Sequence, residues 1–310
     1  MAEPLTVSAP ATSANLGPCF DALGVALDLT NVVTITPRPG PIEVTVEGEG
    51  ADELPTGPDN LVWRALAEGL GPEPEGYAIH CRNRIPLGRG LGSSAATVCA
   101  GLAAANAIGG LRWSPDDLLE RAVRIEGHAD NAAACLNGGL VAVTHQGACR
   151  PIPVPEDLAF VTVVPSGRVG TTEARAALPG QIPIRDAVYT LGNAVQLVLT
   201  LIEGDLDRLP DVLVDHLHEP YRGRLVPGIE GLRGLVGSHG CLGATISGSG
   251  PSTLLWSRVD DAEAVADAAR EALAAEDVSA EVSCRRPVAL GVRARWGGSP
   301  PEARLARAVG

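Results

Sequence analysis

Three glycines at alternating positions, Gly88, Gly90 and Gly92, run directly into Ser93 and Ser94. Glycine lets backbone N–H groups converge on a ligand where a side chain would leave no room. A run of mostly small residues, 95–107, follows at once and reads as a helix. Such a helix aims its unpaired N–H groups and the positive end of its dipole at the same point. Loop and helix together describe an anion site, the kind that most often takes phosphate. The serine hydroxyls can cap the helix or turn outward to a phosphate or its magnesium ion. Without a ligand, the same residues read as a tight turn packing a small-residue helix.

The loop departs from the commoner phosphate templates. A dinucleotide G-x-G-x-x-G fingerprint opening at Gly88 needs glycine where Ser93 stands, and one opening at Gly90 needs it at Ala95. The chain has no lysine; all 24 Lys and Arg residues are arginine. That excludes a P-loop lysine, a protein-kinase β3 lysine and a lysine Schiff base together.

The elements that must hold such a loop follow from the flanking sequence. Residues 77–84 alternate as a strand feeding it. Ser114-Pro115-Asp116-Asp117 is a capping-box variant opening a helix to about residue 125. Strands are expected at 5–9, 25–36, 42–46 and 139–145, with a helix at 60–70. Residues 10–21 read as a long irregular loop. The turn-rich segment 146–155 is taken as the domain boundary, giving an N-terminal domain 1–150 and a C-terminal domain 151–296. The second half reads as strand 158–164, polar loop 166–173 and helix 184–203. Strands at 241–247 and 252–256, a helix at 260–275 and a strand at 279–284 follow. Residues 297–310 are expected to be a frayed tail.

Composition bounds the partners. With 310 residues, 45% apolar and 20% charged, the chain is an ordinary globular protein large enough for two domains. A net charge of −13 argues against nucleic acid or an anionic membrane surface. No apolar run reaches the ~18 residues of a membrane span, and Met1-Ala2-Glu3-Pro4 opens no secretion signal. A cytoplasmic location is therefore expected. Seven scattered cysteines without C-x-x-C spacing read as reduced core residues, Cys19 alone falling inside a candidate site.

A second glycine cluster, Ser247-Gly248-Ser249-Gly250, sits between two short apolar strands. It holds more glycine and serine than a hairpin needs. It is either a plain turn or a backbone surface closing over a ligand held by the first loop. Neither loop contains a G-x-S-x-G nucleophile elbow.

Four blocks in order carry a resemblance: Ala9-Pro-Ala-Thr-Ser-Ala-Asn-Leu-Gly17, the loop 86–96, His128-Ala-Asp-Asn131 and Thr245-Ile-Ser-Gly-Ser-Gly-Pro-Ser252. They resemble the GHMP superfamily of small-molecule kinases. With a following Phe20-Asp21, Glu219-Pro-Tyr-Arg-Gly223 and Thr171-Thr-Glu-Ala-Arg175, the pattern is similar to the homoserine kinase family. The resemblance implies an α+β fold of two domains, a ribosomal S5 domain 2-like N-terminal unit and a ferredoxin-like C-terminal unit, with the site in the cleft between them. It implies ATP, Mg2+ and L-homoserine as ligands, and it admits a homodimer.

The implied roles fall on matching positions. The triphosphate would lie on Pro86, Leu87, Gly88, Arg89, Gly90, Leu91, Gly92, Ser93, Ser94, Ala95 and Ala96, closed over by Ser247, Gly248, Ser249 and Gly250. Ser94 and Glu126 match the magnesium ligands, with Glu120 as competitor to Glu126. Asp21 matches the holder of the substrate amine, Arg175 and Arg222 its carboxylate clamp, and Asn15 a substrate contact that orients the hydroxyl. His128 is either a substrate contact or a structural hydrogen bond. Asn131, beside Asp130, stands where mevalonate kinases carry a basic aspartate, and no lysine partner exists. The resemblance thus implies alignment-driven transfer without a dedicated strong base. Gly92→Val is expected to abolish ATP binding while leaving the fold largely intact. A kinase for another alcohol such as mevalonate, or a catalytically silent nucleotide or amino-acid sensor, remain the alternatives.

Overall fold

The computed structural model describes residues 3–297, so the expected tail lies, apart from Gly297, outside the described residues. The chain runs β1 (Leu5–Ala14), β2 (Leu23–Pro41), β3 (Glu43–Gly48), α1 (Leu61–Leu70), β4 (Glu75–Asn83), α2 (Ser93–Gly109), α3 (Pro115–Glu126) and α4 (Asp130–Asn137). Next come β5 (Leu140–Val143), β6 (Cys149–Ile152), β7 (Leu158–Pro165), α5 (Thr171–Ala176), α6 (Ile184–Glu203), α7 (Leu209–Val212) and α8 (Glu219–Arg222). The last elements are α9 (Ile229–Arg233), β8 (Cys241–Ile246), β9 (Thr253–Arg258), α10 (Ala262–Ala275), β10 (Ala280–Arg285) and β11 (Arg293–Trp296).

Two sheets organise these elements. The first has the order β11-β1-β2-β4-β3, with β5 pairing β2 and β6 pairing β5. Among the described residues, only β3 and β4 pair in parallel. The second is a four-stranded antiparallel sheet, β10-β7-β9-β8, with α10 packed on it. The α+β organisation read from the sequence is the one that forms. The expected division at residue 150 falls inside β6, and β11 returns from the second half to pair with β1 in the first sheet.

Helix α2 is the central strut of the first unit, packed against β1, α1, α3 and α4. Its small residues allow this: a Cβ on Gly101 would stand 2.9 Å from Val62 O on α1. Ser114 caps α3 through the full capping box, its side chain accepting from Asp117 N while Asp117 accepts from Ser114 N.

Several elements differ from the sequence expectation. Residues 10–14 extend β1 rather than forming a loop, with a bulge at Pro10/Ala11. Every residue of that strand is buried, so no period-2 alternation marks it. Residues 130–137 form α4, and 171–176 form α5 where a polar loop was expected. Both are too short to show a helical period. Among the described residues no helix is long and apolar enough to cross a membrane.

Candidate active site

The glycine-rich loop between β4 and α2 holds all three glycines at positive φ: 64° at Gly88, 76° at Gly90 and 68° at Gly92. Gly92 is the N-cap of α2 and offers no side chain to its first turn. The N–H groups of that turn therefore keep their capacity for an external anion. The loop forms one wall of a cleft of about 530 Å3.

The second glycine cluster packs on the first. Ser247 Oγ donates to Gly90 O at 2.7 Å and lies 2.8 Å from Ser13 Oγ, and Gly248 N donates to Ala14 O at 3.0 Å. A Cβ on Gly90 would overlap Ser247 O. The second cluster is thus packed directly against the first loop. Gly248 and Ser249 line the cleft; Ser247 and Gly250 brace it from behind.

Of the loop 86–96, Leu87 and Ala96 do not line this cleft. Ala96 is buried in α2. Leu87 lines an adjoining pocket of about 240 Å3, walled mainly by Val46, Leu54, Pro55, Val62 and Cys81. The two spaces share Leu61, Gly88, Ser93 and Ser94.

Gly92 departs from expectation. A Cβ there would overlap Thr12 Oγ1 and come 3.1 Å from Asn131 Oδ1. The close approach that demands glycine is first to β1 and α4, so the fold itself depends on it. Thr12 Oγ1 donates to Asn131 Oδ1 at 2.8 Å and ties β1 to α4 beneath the loop.

At the start of α2, Ser94 Oγ donates to Glu126 Oε1 at 2.6 Å, and both line the cleft. Burial raises the Glu126 carboxyl above its ordinary range, with the Ser94 bond opposing. Glu120 does not line the cleft and pairs with Arg124 at 3.3 Å. Asp130 is 3% exposed, and burial raises its carboxyl too. Its Oδ1 accepts from Asn131 N at 2.8 Å and lies 3.7 Å from His128 Nδ1. His128 Nδ1 is itself buried without a hydrogen bond.

The floor of the cleft carries charge. Arg175 Nη2 donates to both Asp21 oxygens at 2.9 Å. Arg222 is 2% exposed yet meets no carboxylate within ion-pair distance among the described residues. Its Nε donates to Ala174 O at 3.2 Å and its Nη1 to Gly248 O at 3.3 Å. Burial, then the like charge of Arg175, lowers its pKa. Asn15, at φ 72°, ties the second glycine turn to Asp21: its Nδ2 donates to Gly248 O at 2.6 Å and its Oδ1 accepts from Asp21 N at 3.0 Å.

Sequence reasoning missed the support of this floor. Phe20 lies under both arginines, 4.8 Å from Arg222 Cζ and 5.6 Å from Arg175 Cζ, and stacks on His218 at 4.9 Å. His218 Nε2 meets Gly17 O at 2.9 Å. Asp215 accepts from the N–H groups of Leu217, His218 and Glu219, fixing the entry to α8 and hence Arg222. Glu219 accepts from Ile246 N at 2.7 Å and from Arg233 at 2.9 Å, holding α8 to the end of β8. A lone histidine and aspartate carry no motif; only the spacing from Glu219 to Arg222 hinted at this module.

A two-sheet α+β chain with a glycine cradle at a helix N-terminus, set against a second glycine turn, has the architecture of a small-molecule phosphotransferase. The description "GHMP kinases N terminal domain" matches residues 60–139, and "GHMP kinases C terminal" matches residues 197–275. A homoserine kinase of Prochlorococcus marinus (strain MIT 9303) is 40% identical over 90% of this chain and 93% of its own. That of Moorella thermoacetica is 37% identical over 81% and 87%. A crystal structure of homoserine kinase from Cytophaga hutchinsonii superposes with a TM-score of 0.86 at 33% identity, covering 95% of this chain and 98% of that one. The chain belongs to the GHMP kinases and, within them, to the homoserine kinase family.

Proposed function

We propose that this protein transfers the γ-phosphoryl group of ATP to the hydroxyl of L-homoserine, giving O-phospho-L-homoserine on a cytoplasmic route to threonine. One observation carries the substrate reading. A buried arginine without a carboxylate, Arg222, faces an Asp21–Arg175 pair beside the phosphate loop. An α-amino acid matches this set: its amine replaces Arg175 on Asp21, and its carboxylate takes Arg175 and Arg222 through paired N–H donors. Neither charge of the original pair is then left unmatched.

The triphosphate lies on Gly88–Ser94 at the N-terminus of α2, and Arg89 adds charge at the rim. The mainly apolar pocket beside Leu61 and Leu87 takes the nucleotide base. Ser94 and Glu126 supply two hard oxygens 2.6 Å apart, a donor set that fits Mg2+ completed by phosphate oxygens and water. The cation would neutralise charge on the transferring phosphoryl group.

Burial raises the Asp130 carboxyl, which strengthens it as a proton acceptor, but its Oδ1 is already engaged by Asn131 N, and that bond supports an aligning role. Asn15, Asp130 and Asn131 act by alignment: they lock β1, α4 and the two loops so that hydroxyl and phosphate meet in line. The loose transition state of phosphoryl transfer responds most to such positioning and charge stabilisation. His128 closes the substrate side with an unpartnered Nδ1.

A coupled ADP-release assay over L-homoserine, 4-hydroxybutyrate, mevalonate and L-serine tests this reading. Homoserine should turn over best. Preference for 4-hydroxybutyrate or mevalonate, which lack the amine, would overturn the role of Asp21. No turnover with any alcohol, despite ATP binding, would leave the sensor alternative standing.

A further inference from the structure

The segment between β7 and α5 touches both ends of the cleft. At one end Val169 N donates to Gly88 O at 3.2 Å, and Arg89 Nη2 donates to Ser166 O at 3.0 Å. At the other, Ala174 O accepts from Arg222 and Arg175 holds Asp21. Val169, Gly170, Thr171 and Thr172 line the cleft between these points. One short stretch of chain thus meets the phosphate loop and carries an arm of the substrate clamp.

Packing does little to hold this stretch. From Ser166 to Glu173, Val169 is the one buried residue and the others are exposed. A Cβ on Gly167 or Gly170 would meet nothing within 4 Å, and glycine adds backbone freedom at both positions.

Arg168 supplies the fixation that packing does not. Its methylenes lie on the phosphate loop, since a Cβ on Gly88 would stand 3.5 Å from Arg168 Cδ. Its guanidinium then donates twice to Glu53, Nη1 to Oε2 at 2.7 Å and Nη2 to Oε1 at 2.6 Å. This paired fork is the geometry in which an exposed ion pair keeps one arrangement. Glu53 adjoins Leu54 and Pro55, which wall the smaller, mainly apolar pocket. Their turn is closed by Glu53 N and Leu54 N, which donate to Gly50 O at 3.2 and 2.9 Å. The bridge therefore runs from the wall of the base pocket, across the phosphate loop, to the segment that carries Arg175. Neither Arg168 nor Glu53 lines the cleft itself.

We propose that Arg168 and Glu53 form a positioning latch that couples nucleotide occupancy to the placement of Arg175, so that each substrate raises the affinity of the other. The inference rests on the assignment of ATP and homoserine to this cleft. A nucleotide seated against Leu54 and Gly88 stiffens the two surfaces that Arg168 bridges. The segment 166–175 then loses freedom before the amino acid arrives, and homoserine has less of it left to order.

Calorimetric titration of homoserine, with and without saturating magnesium and the non-hydrolysable β,γ-imido analogue of ATP, tests the coupling. The wild-type chain should bind homoserine at least about fivefold more tightly when the analogue is present. The analogue should gain the same factor from homoserine, because coupling is reciprocal. Arg168→Ala and Glu53→Ala should each bring the factor below about twofold. Their melting temperatures should hold, because the two side chains are 47% and 45% exposed. The double variant should lose no more coupling than either single one, as residues that act through each other do. A wild-type factor of one, with both ligands binding, would overturn the latch and leave the assigned activity standing. Single variants that keep the wild-type factor, or losses that add in the double variant, would also overturn it. Failure of homoserine to bind under either condition would overturn the substrate reading, and the latch with it.

Discussion

Replacing Arg222 by leucine is the most direct probe of the cleft floor. The guanidinium is buried and donates only to two carbonyls, Ala174 O and Gly248 O. Gly248 O keeps its 2.6 Å bond from Asn15 Nδ2 without it. Ala174 O loses a donor, at a cost of about 1–3 kcal/mol. Leucine, however, removes a cation whose burial is itself unfavourable, as its lowered pKa records. The two effects oppose, so the net change in stability should stay within about 2 kcal/mol. The substrate feels no such offset. Losing a charge-assisted bond to a buried carboxylate costs roughly 1.5–3 kcal/mol, or about a 10- to 150-fold rise in KM for homoserine. KM for ATP should change less than about threefold, because Arg222 donates to Ala174 O and Gly248 O and to no atom of the phosphate loop. The assay is initial-rate kinetics with each substrate varied at saturation of the other, alongside a thermal melt. Equal rises in both KM values, in a variant that remains folded, would refute the reasoning and make Arg222 a clamp between the two loops.

Four other substitutions separate the remaining roles. Gly92→Val should lower thermal stability as well as nucleotide affinity, because its side chain collides with Thr12 and Asn131; an unchanged melting temperature would contradict the packing described. Asp130→Asn should retain measurable turnover across pH 6 to 9 while Glu126→Gln loses it at moderate magnesium, and the reverse pattern would make Asp130 the base. Glu219 is buried and its carboxyl is pushed up to about 7 from 4.5. The unfolded chain ionises it first, so the stability it contributes is complete below about pH 4.5 and is lost as pH rises through about 7. Glu219→Gln should remove that loss, flattening the fall in urea midpoint between pH 5 and 8; parallel pH profiles for the two proteins would refute it.

The glycine loop, the capped α3 and the β7–β10 strands were legible because local chemistry alone specifies them: positive φ, a capping box, apolar runs between turns. Residues 10–14 were not. In β1, Thr12 and Ser13 are as buried as Ala11 and Ala14, so the pattern that marks a strand is absent. The Arg222 floor was half legible. Glu219 and Arg222 share a short motif, but Phe20, Asp215 and His218 reach it only through tertiary packing. The pairing of Asp21 with Arg175, 154 residues away, is equally invisible to local reading. Helix α6 was present in the sequence as amphipathic period, yet which face meets the protein and which meets solvent is decided by the partner elements.

The return of β11 to the edge of β1 has a consequence for synthesis. Leu5 to Ser8 pair with Arg293 to Trp296, so the first strand made waits for the last described strand to complete its side of the sheet. Translation at ~5–20 residues per second leaves that edge open for on the order of tens of seconds on the ribosome. An open strand edge is a template for pairing with other chains. The nascent N-terminal half should therefore draw more chaperone than its finished surface suggests, and a chain stopped before residue 293 should aggregate rather than fold as a smaller unit.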